Sequence, residues 1–222
     1  RNRDGRMLTV LDHLACNRCS RELVEFFRAA ARVRFAEDPQ GLLPLARRVR
    51  HLVWSNKMRD SIGRTTYLWS GPAFDAWEYV PPEQVTKQQK EMLERAYLSR
   101  YTIGSLILRK GESYFFTGGT EDEVQVGAAT LTSGEELRLV DWSIQPAGRV
   151  LLTVVAIEQD DTELTLDPVV LEKSGMVSGT LVHARMTVLP IIYGRVMTTY
   201  KSQGREFEQV CVHAAGFMGE DN

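Results

Sequence analysis

Apolar residues fall along this chain in two textures. In the first hundred residues they recur at three- and four-residue spacings: Leu8, Leu11, Leu14 and Ala15, then Leu23, Phe26, Phe27 and Ala30. That spacing puts side chains on one face of an α-helix. It breaks near residues 16–20, so it predicts two helices, the second capped by Ser20 and carrying Arg28, Arg32 and Arg34 toward its carboxyl end, where cations are favoured. Residues 37–41 read as a loop and 42–49 as one short helix. Residues 51–55, His-Leu-Val-Trp-Ser, read as a compact buried strand, with a helix beginning at 56–62 beyond a tight turn. The stretch 70–82 is rich in Gly, Pro and aromatics without a period and reads as an irregular connection. Residues 86–98 predict an amphipathic helix, with Met92, Leu93, Ala96 and Tyr97 on one side and Lys87, Lys90, Glu91 and Glu94 on the other.

From Tyr101 the texture changes to short β-branched runs divided by turns: 103–108, 113–117, 124–131, 136–144, 150–158, 163–171 and 181–189. Such spacing predicts a small barrel or sandwich of about five to seven strands. Residues 191–212 then supply a strand, a polar turn and a second buried strand. A β-only block between α/β elements is best explained as a small barrel carried on a larger α/β layer, because a parallel strand such as 52–55 is rarely alone. The expected organisation is therefore an α/β part over 1–100, a β-only insertion over 101–189, and a return to the α/β part over 190–222.

Composition places this pattern in a soluble chain: 222 residues, 43% hydrophobic, with no apolar run near the roughly 20 residues a membrane span requires. The first six residues lack the apolar block of a signal peptide, and three cysteines make no disulfide framework. Both point to an intracellular protein with no membrane partner. The net charge of −2 hides an asymmetry: residues 1–50 hold eleven arginines against six acids, and residues 112–167 hold two arginines against twelve acids. One end would suit a polyanion and the middle would repel one. The plainer reading is that like charges cluster on solvated faces.

The turn Thr198-Thr199-Tyr200-Lys201-Ser202-Gln203-Gly204 carries more chemistry than a connection needs. At the carboxyl edge of an α/β sheet, where ligands bind, Lys201 would pair a phosphate, Tyr200 would stack on a base, and Gly204 would let backbone approach closely. A decorated surface hairpin explains the same residues equally well. Arg47, Arg48 and Arg50 stand before the strand at 51–55 and are candidates to reach a nucleic-acid backbone, or are ordinary surface arginines. Cys16-Asn17-Arg18-Cys19 is a lone CxxC whose completion as a zinc site would need Cys211 and His13, so two packed thiols are favoured. The four histidines show no metal spacing along the chain, and the acid pairs 135–136 and 160–161 sit in turns. No metal ligands and no catalytic residues are assigned.

The turn and the Glu206-Phe207-Glu208-Gln209-Val210 run after it resemble motif V of superfamily 1 DNA helicases, especially the PIF-type and RecD/Dda-like branch. The pattern there is hydroxyl-x-His-Lys-Ser/Ala-Gln-Gly followed by an apolar strand. Residues 189–196, Leu-Pro-Ile-Ile-Tyr-Gly-Arg-Val, fit the strand before it. Residues 7–27 resemble the helical opening of the second motor domain, 51–57 the motif IV strand that ends in a hydroxyl residue and Asn, and 101–109 the strand that begins an SH3-like insertion. The resemblance implies a RecA-like second motor domain interrupted by an inserted small SH3-like β-barrel, part of an ATP-dependent DNA helicase. It implies Ser55, Asn56, Thr198, Tyr200, Lys201 and Ser202 facing single-stranded DNA, with Gln203, Gly204 and Glu206 toward the nucleotide. The sequence departs from the family in having Tyr200 where the family has His, in lacking any Gly-x-x-x-x-Gly-Lys-Ser/Thr, and in ending before motif VI. ATP and Mg2+ are accordingly expected to be held mainly by a first motor domain outside these 222 residues, without which the chain should be inactive. The alternatives are a non-catalytic binding module, in which an SH3- or OB-like barrel over 101–189 recruits a protein or a single strand, its acidity favouring a protein partner such as other replication or repair proteins, and a degenerate helicase-like subunit of a replication complex.

Overall fold

A computed structural model describes residues 49–118, 123–127, 129–177, 179–203, 207 and 210–213. The helices expected within 1–48, with Cys16, Cys19, Arg47 and Arg48, lie outside the described residues, as do Gly204 and Glu206. What is described is mostly β-strand with two α-helices. None of its helices is long and apolar enough to cross a membrane.

Strand β1 (Arg50–Val53) is the middle of a three-stranded parallel sheet, flanked by β13 (Val196–Thr198) and β14 (Val210–Val212). The partners expected for this strand are present, far along the chain. Val53 pairs with Thr198, and His51 pairs with Val196 on one side and Cys211 on the other. The strand stops at Val53 because Ser55 leaves it to cap helix α1 (Asn56–Trp69), its Oγ accepting a hydrogen bond from the Met58 amide at 3.2 Å. Trp54, expected inside the strand, is 52% exposed. β14 was expected to be buried, yet Val210 and Val212 are 43% and 54% exposed.

The apparently irregular stretch 70–82 holds a 3-10 turn at Ala73–Asp75 and strand β2 (Ala76–Tyr79). β2 pairs antiparallel with β3 (Leu106–Arg109). Between them lies α2 (Lys87–Tyr97), started by a capping box in which Thr86 and Gln89 bond each other's backbone amides. Between residues 101 and 189 nine strands are described rather than five to seven. They are β3, β4 (Ser113–Phe116), β5 (Glu123–Val126), β6 (Ala129–Thr132), β7 (Glu136–Ile144), β8 (Val150–Ala156), β9 (Thr162–Leu166), β10 (Val169–Val177) and β11 (Thr180–Val188). Two expected runs were each two strands: 124–131 turns at Gly127, with φ +58°, and 163–171 turns between β9 and β10. Among the described residues the block does not close into a barrel. It forms a five-stranded antiparallel sheet in the order β12-β4-β7-β8-β9, with β12 at Ile191–Tyr193, and separate hairpins β5–β6 and β10–β11.

The acidic middle is less bare than its sequence suggests. Glu112 pairs with Arg195, Glu136 with Arg50, Asp141 with Lys110, Asp161 with Arg138 and Asp167 with Arg149. Three of those cations come from outside residues 112–167, so folding compensates charge that the linear sequence segregates.

Two sheets meet where the chain passes from β12 to β13 through Gly194 and Arg195. The fully buried Tyr67 of α1 accepts hydrogen bonds there from the amides of Gly194 (3.1 Å) and Arg195 (3.2 Å), and donates its own proton to the Ser113 carbonyl. Its ring packs edge-on to Tyr114 and Tyr193, with centroids 5.1 and 4.8 Å away. Tyr193 in turn accepts from the Ile107 amide at 2.9 Å, and Tyr114 from the Arg109 amide at 2.8 Å. No side chain fits at Gly194, because a Cβ would lie 2.3 Å from Ser113 Oγ, nor at Gly63, where it would lie 2.1 Å from the Tyr193 ring.

Tyr67→Phe keeps the ring and removes a hydrogen bond from Arg195 N, while Gly194 N and Ser113 O keep each other at 3.0 Å, so we expect a loss of about 1–2 kcal/mol in denaturant unfolding. Burial raises the pKa of Tyr67, Tyr114 and Tyr193 above the ordinary 10. The folded values exceed the unfolded ones, so the stabilisation from keeping these phenols neutral is complete below about pH 10 and is lost as pH rises beyond it. Urea midpoints followed upward from pH 8 should fall once pH passes about 10, and fall less in Tyr67→Phe.

Candidate functional site

Because β1 and β13 are neighbours in register, the segments that follow them emerge side by side at the carboxyl edge of the parallel sheet. After β1 come Trp54, Ser55 and Asn56; after β13 comes the turn from Thr199 to Gln203. These segments are 143 residues or more apart in sequence and share one edge in space.

The turn is shaped by its own short polar groups. Thr199 N donates to Val53 O at 3.0 Å, carrying the pairing one residue past the strand, and Ser202 N returns to Thr198 O at 3.1 Å. Ser202 Oγ donates to Thr199 O at 2.8 Å, and Lys201 N reaches Thr198 Oγ1 at 3.4 Å. Thr198 is buried and Ser202 half-buried, so both hydroxyls are engaged in folding the turn. The turn then presents outward what does not fold it: Tyr200 is 80% exposed, and Gln203 is exposed. Lys201 is half-buried and borders a cleft of about 200 Å³ whose other walls are Phe115 and the Ser133-Gly134 turn between β6 and β7.

On the other segment Ser55 is exposed but occupied as the α1 cap, and Asn56 is half-buried. Asn56 Oδ1 accepts from Arg59 Nη1 at 3.1 Å. Arg59 is fully buried and also donates to Asp60 (2.7 Å) and to the carbonyls of Leu98 (3.3 Å) and Tyr101 (3.2 Å). Burial outweighs that guanidinium and raises the Asp60 pKa. Arg50 does not project toward a ligand as the sequence allowed. It pairs with Glu136 at 2.5 Å, donates to the Gly194 carbonyl, and lies 5.8 Å from the centroid of the Phe115 ring.

Trp54 was not singled out in the sequence because it was read as part of a buried strand. The signal available was its place immediately before a Ser-Asn helix start, where the chain must leave the sheet. Two of the four histidines, without spacing along the chain, are brought together by the sheet: His51 Nδ1 lies 2.8 Å from His213 Nε2, beside Cys211. Burial and the neighbouring His51 ring lower the His213 pKa.

Solved structures matching this arrangement include a Pif1 helicase from Candida albicans, with 16% identity and a TM-score of 0.57 over 94% of this chain and 47% of that one. The fold is helicase-like. A Pif1 helicase from Bacteroides bound to single-stranded DNA matches with 12% identity and a TM-score of 0.57, over 96% of this chain and 43% of that one. The Bacteroides protein in complex with ADP-AlF3 and single-stranded DNA matches at 11% identity and a TM-score of 0.56, again over 96% of this chain and 43% of that one. This chain thus spans just under half the length of the Pif1 helicases it resembles. No family model matches the chain, and no curated protein matches it by sequence.

The geometry separates residues that build the edge from residues that decorate it. Ser55→Ala should lower the unfolding free energy by about 1 kcal/mol through loss of the cap. Tyr200→Ala, at an exposed ring, should change it by no more than about 0.5 kcal/mol. Denaturant melts of the two variants check the division.

Proposed function

We propose that this chain is the second motor region of an ATP-dependent superfamily 1 DNA helicase of the Pif1 type. In this reading residues 1–100 and 190–222 form a RecA-like half, and residues 101–189 form its SH3-like insertion. The observation that carries the reading is the pairing of Val53 with Thr198. It joins at one sheet edge the two loops that resemble motifs IV and V, within a fold matched by Pif1 helicases over 94–96% of the chain.

Single-stranded DNA then lies along that edge. Tyr200 and Trp54 offer exposed rings on which bases stack without regard to sequence. Lys201 pairs a phosphate, and Ser55, Asn56, Thr198 and Ser202 contact the strand while holding the edge in shape. Gln203, Gly204 and Glu206 face the nucleotide. The chain itself has no Gly-x-x-x-x-Gly-Lys-Ser/Thr cradle for ATP and Mg2+. No hydrolytic step is assigned to its residues, and the phosphates fall to a first motor domain. The internal ion pairs of the acidic middle argue against the rival reading, a module that recruits proteins through bare negative charge.

Fluorescence anisotropy with labelled single-stranded DNA tests this reading. Tyr200→Ala should weaken binding by about 1–3 kcal/mol, roughly 5- to 150-fold. Lys201→Ala should reduce the slope of log K against log salt by about 0.7, the share of one single-strand phosphate. Neutralising Glu121, Asp122 and Glu123 together should leave both quantities unchanged. If neither Tyr200→Ala nor Lys201→Ala alters binding, the proposed DNA edge is wrong.

A further inference from the structure

The parallel sheet brings three metal-ligating side chains onto one face. His51 and Cys211 are register partners on β1 and β14, and His213 follows Cys211 by two residues, the strand period that returns a side chain to the same face. The backbone holds this arrangement past the end of β14, since His213 N donates to Leu52 O at 3.0 Å. The imidazoles of His51 and His213 stack with centroids 5.1 Å apart and an interplanar angle of 27°. His51 Nδ1 stands 2.8 Å from His213 Nε2, Cys211 Sγ stands 3.9 Å from that same nitrogen, and the three donor atoms lie within 4.8 Å of one another.

We propose that His51 Nδ1, His213 Nε2 and Cys211 Sγ form a binding site for a borderline-soft divalent cation of the zinc class. Zinc–nitrogen bonds of about 2.0–2.1 Å and zinc–sulfur bonds of about 2.3 Å at tetrahedral angles set the donors roughly 3.4–3.6 Å apart. The nitrogens need to separate by roughly half an ångström, and the sulfur to approach His213 Nε2 by about 0.3 Å and His51 Nδ1 by up to about 1.2 Å, shifts that rotation of the Cys211 and histidine side chains supplies. Two imidazoles and a thiol with no carboxylate among them select zinc, cobalt or copper over magnesium and calcium. Cys211 binds as thiolate, its proton passing to solvent, and the fourth position goes to water or one further donor.

The site answers a structural need. β14 has three residues, and Val210 and Val212 are largely exposed, so hydrophobic burial contributes little to holding it on β1. A cation bridging His51 to Cys211 and His213 would staple the strand that returns from the Thr199–Gln203 turn. The proposal does not depend on the helicase reading, because it rests on donor geometry alone.

The test is a Co2+ titration of the reduced, metal-stripped 222-residue chain, followed by competition with Zn2+. Binding should saturate at one equivalent with a sulfur-to-cobalt charge-transfer band in the near ultraviolet. Cys211→Ser should abolish that band. His213→Gln, at a half-buried position, should weaken Co2+ binding at least about tenfold. A Cys16→Ser, Cys19→Ser double variant should keep the band, since those are the chain's other two thiols. Zn2+ should raise the Tm of the parent chain and not that of Cys211→Ser, with circular dichroism confirming that both variants fold. Persistence of the band in Cys211→Ser, or no one-equivalent binding in the parent chain, would overturn the assignment.

Discussion

The molecule depends on how one chain serves two sheets of opposite sense. β12 ends an antiparallel sheet, and two residues later β13 begins a parallel one, so Gly194 and Arg195 must leave one hydrogen-bonding pattern and enter another. A buried amide without a partner at such a junction costs about 1–3 kcal/mol. The single hydroxyl of Tyr67 receives both amides and returns its proton to Ser113. Gly194 is required because Ser113 occupies the space a side chain would fill. Around this point Tyr114 and Tyr193 repeat the device, each burying a ring while its hydroxyl serves a backbone group of β3. α1 supplies the other surface, its Gly63 lying flat on the Tyr193 ring. The junction therefore fixes where β13 begins, and with it the height at which the Thr199–Gln203 turn leaves the sheet.

Periodicity made the elements legible where one face is buried and the other is not. β7 was read from residue to residue, and α2 within one residue at each end, because alternation and helical spacing are strongest there. The parallel partner of β1 was legible only as a need, since a parallel strand is seldom alone and no local signal states which segment pairs with it. Failures came where strands are short. β2 is four residues after a Gly-Pro turn, and its Trp-Glu-Tyr alternation is too brief to stand out from an aromatic-rich loop. The β5–β6 hairpin lies inside what looked like one run, because a single glycine, Gly127, marks its turn between apolar runs. Barrel closure was inferred from strand spacing, which counts strands but says nothing about which edges meet.

The site was legible in composition and not in geometry. The turn at 198–203 was conspicuous because nearly every side chain in it is polar, and that polarity has two uses which the sequence does not separate. Thr198 and Ser202 hydroxyls close the turn on itself, whereas Tyr200 points away from it. The same ambiguity misled the reading of charge: Arg50 looks like a free cation in a basic run and is committed to Glu136, 86 residues away. Long-range pairs of this kind have no linear signature, which is why the acidic middle seemed bare.

That division of labour bears on what the edge can do. A side chain that closes a turn cannot change partner without moving the turn, so Thr198, Ser202, Ser55 and Asn56 are suited to keeping the edge in one shape. Trp54 and Tyr200 are exposed, and they are rings whose flat faces accept contacts of many kinds. Lys201 stands between the two groups, half-buried beside a cleft whose far wall is the Ser133-Gly134 turn of the β-rich block. The polar turn thus borders the turn between β6 and β7 as well as ending a strand.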